Sequence, residues 1–530
     1  MSKLLVILLG ALLIHGCDMF ISRGGEGQKC FSETNECSGD LICHEGRCVR
    51  EIPDAGQDGG DDGGAEDDGS ADGSDDAGTG DDAGTGGDDA GTGDGDQGPV
   101  GPATHVYRSV GPYNTTPLAE STGDNNLTIT GSVASFQQAL PDNIGVGDAI
   151  QFDASGNSFL DTVVFIHSKG PDSTDYVVAK ADGTSLDQSH ASDTWSILRS
   201  YTSLSDAVTL VENTSFDASV ENFDDEQSPE NPRDLVSRNL IWNIACYAES
   251  AADDKKVTIQ HWITSGDNYL RIFTPAADDE VGESQRHSGV WTIDKYRLDV
   301  WFDTDNHATI QIGDAHIHID GLQIGKNGEA TGLVASGIEA HGLTVLRLSN
   351  SMIRGTQSNG FGIYLAGTAE LYMWNTMIYD TSTSSGDGIH LVTGATAYIY
   401  NSTLFNNYRG VYVQDSQAPK VVIKNTIAAG NINYDFDSDS FLGDESSYNC
   451  STDESADDGG MTDGYTLVAP SDLFVAVDPP NLHLKPGSAC DGAGYNLLED
   501  PDLSFEDDID GDLRPADYNP WDIGADENGQ

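Results

Sequence analysis

The sequence predicts an all-β solenoid, a parallel β-helix, on three observations. Lines of similar sequence recur between 317 and 430, with Asn350, Asn375, Asn401 and Asn425 spaced 25, 26 and 24 residues apart. Around each asparagine apolar residues alternate with polar or aromatic ones, the period of two that belongs to strands. A second strand follows in each unit, at 362–365, 388–391 and 410–413, each opening on glycine. One such coil cannot bury its inner face alone. Coils stacked about 4.8 Å apart close a common core, and asparagine amides at the bend can bond to those above and below. The Leu-x-x-Leu-x-Leu of leucine-rich repeats and the heptads of coiled coils are both missing.

The elements before the solenoid follow from composition. Lys3 and the apolar run Leu4 to Ile14 have the form of a secretory signal over 1–16, too short to anchor in a bilayer. Ile14-His15-Gly16-Cys17 resembles the lipobox of bacterial lipoproteins, which implies cleavage before Cys17, lipidation of that cysteine and a membrane partner reached through the lipid. His15 is an unusual occupant of its position. The expected location is an exported lipoprotein on the outer membrane or cell surface. In the lipidated N-terminal region 17–53, Cys30, Cys37, Cys43 and Cys48 lie in a segment too short for a hydrophobic core. Two disulfides are the expected substitute, with all three connectivities open. Residues 54–98 hold 16 acidic residues and no basic one, with Asp-Asp-Ala-Gly-Thr-Gly repeated at 75–80, 81–86 and 88–93. Such a segment has nothing to offset chain entropy and reads as a disordered, self-repelling linker. It reaches on the order of 150 Å when drawn out.

The whole chain carries 88 acidic against 25 basic residues, a net charge of -63, which argues against a nucleic-acid partner. Composition becomes globular from Pro99, so 99–530 is read as the β-helix domain with a C-terminal closing segment. Its repeats resemble the right-handed parallel β-helix proteins of the pectin-lyase-like superfamily, and the resemblance implies the handedness. It extends to Phe136-Gln137-Gln138-Ala139-Leu140 as a capping helix and to the first strand within Gly147 to Phe152. Asn481 to Cys490, and Asp510-Gly511-Asp512-Leu513-Arg514-Pro515 to Glu527, resemble the last coil of secreted bacterial β-helix proteins. Cys450 and Cys490 are candidates to pair across that end, whereas Cys246 reads as a buried thiol.

Many relatives in that superfamily act on acidic polysaccharides, so a lyase or glycoside hydrolase is one reading. Acid and base must flank a single glycosidic bond. The candidates are Asp380, Asp387, His390 and Asp415, with Arg409 and Lys424 as cations, but the family's Gly-His-Gly and paired-Asp motifs are missing. No catalytic residue is assigned. The repeat offers a different site. The residue two before each asparagine points inward, so Tyr372, Trp374, Tyr398 and Tyr400 point outward as an aromatic tile suited to sugar rings. Tyr364, His390 and Tyr412 form a column on another face. The reading taken is a surface lipoprotein that binds a glycan or envelope partner. The alternatives are a polysaccharide-degrading enzyme and a structural surface protein whose tile is covered. No cofactor is required. Calcium is the one weighed, at Asp508, Asp510 and Asp512, which alternate around a turn glycine without the glutamate that completes a calcium loop. His316 and His318 share a strand face without a third metal ligand.

Overall fold

The computed structural model describes residues 42–44, 47–49 and 101–528, the last range without 122–123, 171, 225–230, 303–307, 314, 329–334, 357–359, 382–385, 393, 415–418, 438–444, 458–460 and 517–518. They belong to two units, 1–94 and 95–530. In the first, Ile42–His44 pairs antiparallel with Arg47–Val49 in a register that sets Cys43 opposite Cys48. The signal segment, Cys17, Cys30, Cys37 and the linker lie outside the described residues.

The second unit is built on three parallel sheets. Sheet A has eight strands, from Thr104–Val110, Leu240–Cys246, Leu270–Phe273 and His316–Asp320 through Val345–Ser349, Glu370–Trp374 and Thr396–Tyr400 to Lys420–Lys424. Sheet B has seven, from Arg297–Phe302 to Cys450–Ser451, and sheet C seven, from Val257–Ile259 to Tyr434–Asp437. The chain visits A, B and C in turn, and each strand pairs in parallel with its equivalent in the next coil. This is a parallel β-helix. Its interior is a continuous column of aliphatic side chains, among them Leu348, Met373, Ile399 and Ile423 from sheet A, Ile353 and Ile378 from B, and Ile363 and Ile389 from C, all fully buried.

The bend between sheets A and B explains the asparagine spacing. Asn350, Asn375, Asn401 and Asn425 have φ of 47°, 48°, 38° and 51°, the left-handed region that asparagine tolerates better than other side chains with a Cβ. The amide ladder forms as two pairs: Asn375 donates to Asn350 at 3.1 Å and Asn425 to Asn401 at 3.1 Å. Between the pairs the C-terminal segment intervenes. Arg514 donates to Asn375 Oδ1 at 3.0 Å, and Asn401 donates to the carbonyl of Asp522 at 2.9 Å.

Two elements differ from the sequence reading. Phe136 to Leu140 is not a capping helix. Val133–Phe136 is a strand paired with Leu127–Thr130, and Ala149–Phe152 lies antiparallel between Thr162–Lys169 and Trp195–Leu198. Both belong to an eight-stranded antiparallel sheet inserted between the first two strands of sheet A. Leu127, Ile129, Ala134 and Phe136 alternate into its core, a period that fits a hairpin. The helix Leu204–Thr209 supplies apolar cover instead, capped by the Ser203 hydroxyl and burying Leu204, Ala207 and Val208 in the solenoid core.

The C-terminal segment is not a last coil. Phe474–Val477 and Pro480–Leu484 form a hairpin, and the chain to 528 lies as a clasp over outer faces of sheets A and B. The cause is the outward row Met352, Met377, Ile427 together with Tyr379 and Phe405, apolar on a face that needs a second layer. Leu473, Phe474, Leu482, Leu484 and Ile523 supply it. A disulfide joins Cys450 to Cys490, and Cys246 is a buried free thiol.

Candidate functional site

Strand alternation places the outward residues of sheet A. Leu346 and Leu348 point into the core, so Arg347 between them faces out. Tyr372 and Tyr398 do the same in the next two coils. The register stacks Arg271, His318, Arg347, Tyr372 and Tyr398, one per coil. All five are half-buried. Tyr372 and Tyr398 lie face to face at 5.0 Å and 6°. The Arg347 guanidinium lies 5.2 Å from the ring centre of Tyr372 and 5.4 Å from that of Trp374, within cation–π range. Tyr269 stacks on His318 at 3.8 Å, and Lys420 Nζ lies 5.4 Å from the Tyr398 ring. Burial, then the Arg347 and Arg271 charges, push His318 down to about 3, so its ring is neutral at neutral pH.

The four-ring tile is split by the clasp. Tyr400 is fully buried among Leu497, Leu503, Phe505 and Trp521, and Trp374 packs against Phe505 at 6.2 Å. Tyr372 and Tyr398 keep part of their surface in solvent. Sequence reasoning missed Arg347 and Arg271, and weighed His318 only as a metal ligand. The signal for Arg347 was present, because it precedes Leu348 as Tyr372 precedes Met373 and Tyr398 precedes Ile399. An alignment of the repeat read for charge as well as for rings finds it.

On sheet C the register forms the second expected column, Tyr364, His390 and Tyr412. Of the six catalytic candidates, Asp387, His390 and Arg409 meet beside it. Asp387 is fully buried and accepts from Arg409 Nε at 2.6 Å and from its terminal nitrogen at 3.0 Å, with His390 Nδ1 at 2.7 Å. Arg409 also pairs with Asp437 at 3.0 Å and lies 3.2 Å over the Tyr412 ring. Phe361 packs on His390 at 4.3 Å. Both Asp387 oxygens are thus engaged, as in a structural ion pair. Asp415 lies outside the described residues. Asp380, at the end of a sheet B strand, accepts from Asn406 at 2.6 Å, and Lys424 pairs with Asp500 at 2.6 Å. Among the described residues these candidates do not assemble a carboxylate pair flanking one bond.

No protein-family profile matches the chain, and no curated protein matches it. Among solved structures it is similar to pectate lyase Pel9A, with 12% sequence identity and a TM-score of 0.28 over 54% of this chain and 88% of that one. The parallel β-helix stands on the strand register described above.

The expected calcium ligands do not converge. Asp508 is buried, and its oxygens accept backbone N–H groups from Asp510 at 2.9 Å, Asp512 at 2.8 Å and Glu527 at 2.9 Å, which uses the carboxylate to hold the turn. Asp512 is exposed. Asp510 instead meets His483 at 3.0 Å, with Asp526 close by. One nitrogen and two carboxylates fall short of the six to eight oxygens that calcium takes. The contact fits a His–Asp pair, and the bond to Asp510 raises the His483 pKa. Among the described residues His316 and His318 bring in no third ligand, and His318 is committed to the Tyr269 stack.

Proposed function

We propose that this protein is a surface-displayed lipoprotein that binds an acidic polysaccharide along the outer face of sheet A. The observation that carries the reading is Arg347. Its guanidinium sits beside the Tyr372 and Trp374 rings and makes no hydrogen bond or ion pair with any described residue. A chain with a net charge of -63 holds here a cation whose planar fork of donors fits a carboxylate or sulfate. Lys420 extends the positive charge, whereas Arg271 is paired with Asp320 and Glu280, and the half-buried Tyr372–Tyr398 stack offers apolar surface beside Arg347 for sugar rings. Coils about 4.8 Å apart present one contact each to an extended chain. Lipidation at Cys17 and the linker 54–98 would hold this face away from the membrane.

The test is retention of the mature protein on acidic and neutral polysaccharides by affinity electrophoresis, with release of reducing or unsaturated ends followed in the same samples. Retention by acidic chains that weakens with salt and in Arg347→Ala supports the reading. Equal retention by neutral chains, or none, overturns it. Release of ends would move the protein to the lyase or hydrolase class. Incorporation of labelled fatty acid, lost in Cys17→Ser, tests the anchor.

A further inference from the structure

A second surface, beside the last coil of the solenoid, has the opposite chemistry. A cleft of about 780 Å³ opens where the last coil meets the clasp, and Tyr448, Tyr465 and Tyr495 line it with Glu499, Asp500 and Leu498. Among the described residues its lining contains no lysine or arginine. Asp500 is paired with Lys424, which leaves the exposed Glu499 as the uncompensated charge in the wall.

The three tyrosines come from three separate stretches of chain, and the backbone of each is fixed. Asn425, the last rung of the asparagine ladder, accepts the Tyr495 N–H at 2.8 Å and donates to its carbonyl at 2.7 Å, while Tyr495 as a whole stays 58% exposed. Tyr465 donates its N–H to Asn449 at 2.8 Å and accepts from Ser451 at 2.8 Å. Tyr448 donates to Thr462 at 3.1 Å and has a φ of 56°, a region that bulky residues avoid unless their surroundings enforce it. The Cys450–Cys490 disulfide ties the wall that carries Tyr448 to the one that carries Tyr495. Tyr448 and Tyr495 stack at 5.7 Å and 25° as one aromatic surface. None of the three hydroxyls bonds to another described residue. A backbone held this firmly loses little freedom when a ligand arrives.

We propose that this cleft binds a small organic cation of the alkylammonium class, through the tyrosine faces and the Glu499 carboxylate. Ring faces attract a cation, and a carboxylate in a wall without basic residues adds to that attraction. The same wall repels the acidic chain assigned to sheet A, so the two surfaces select ligands of opposite charge.

The test is calorimetric titration of the full chain with choline and with its uncharged isostere 3,3-dimethyl-1-butanol. Choline is expected to saturate at one equivalent, which separates the cleft from diffuse counter-ions on the acidic linker, and the isostere to bind at least tenfold more weakly. Tyr495→Ala, checked for unchanged circular dichroism and melting, is expected to weaken choline by roughly fivefold or more. Tyr495→Phe keeps the affinity, and Glu499→Gln reduces it. Failure of choline to saturate, equal binding of the isostere, or unchanged affinity in a folded Tyr495→Ala each overturns the proposal.

Discussion

Asn425 grips Tyr495 with both ends of its amide, donating to the Tyr495 carbonyl at 2.7 Å and accepting its N–H at 2.8 Å, across 70 residues of sequence. The same side chain donates to Asn401 at 3.1 Å. A bend residue of the solenoid is therefore also the peg on which the clasp hangs. Asn425→Ala removes these bonds and places alanine at a φ of 51°. The expected loss is about 3 kcal/mol of stability, read by denaturant unfolding. Asn425→Gly removes the same bonds without the left-handed penalty and is expected to recover about 1 kcal/mol of it. Equal losses in the two variants would show that bend conformation contributes nothing.

Arg347 makes no ion pair that its removal would break, so the fold should tolerate Arg347→Ala. Melting is expected to shift little, while retention on acidic polysaccharide falls about tenfold, the loss of one charge-assisted contact. Arg347→Lys keeps the charge without the planar fork and should fall between. A large drop in melting temperature without loss of retention would make Arg347 a packing residue.

Asp387 is expected to behave as part of a structural ion pair. Asp387→Ala leaves Arg409 with one carboxylate partner and His390 without its Nδ1 bond, at a cost of about 3–5 kcal/mol. Glycan retention at a temperature where the variant is folded should be unchanged, because the pair lies on sheet C. If polysaccharide cleavage is detected in the parent and lost in a folded Asp387→Asn, the residue belongs to chemistry instead.

The clasp brings a pH dependence. Burial, then the neighbouring charges of Asp508 and Asp510, push Asp526 up to about 6 against the opposing Leu484 N–H and His483. Between the ordinary carboxylate value and about 6, the folded chain keeps a proton that the unfolded chain has released. Stability from this group is full below that window and falls as pH rises through it, by about 2–3 kcal/mol. Asp526→Asn still accepts the Leu484 N–H and is expected to flatten this part of the profile and to be the more stable chain at pH 7. Unfolding curves of both chains from pH 4 to 8 check it, and parallel profiles would refute it.

The repeat between 317 and 430 was legible because each coil is local. Inward and outward positions follow from alternation, and the asparagine spacing marks the bend between sheets A and B, which needs a left-handed residue. The antiparallel insert was not legible. Period two does not say whether a strand's partner runs parallel or antiparallel, and Phe136 to Leu140 lacks the length to display a helical period. In the candidate site, Tyr372, Tyr398 and the Asp387–His390–Arg409 group could be found one residue at a time. What they touch could not.

By itself, the sequence determined which residues of each repeat face inward and which outward, with aliphatic side chains inside and asparagine at the turn. These are properties of neighbouring residues and are written in local spacing. Only the tertiary structure decided which outward rings meet solvent. Tyr400 and Tyr398 are two residues apart on one strand face, yet the clasp around Phe505 and Trp521 buries the first and leaves the second half-open. That cover comes from about a hundred residues further along the chain. No local period records it, because contact between distant segments depends on where the whole fold brings them.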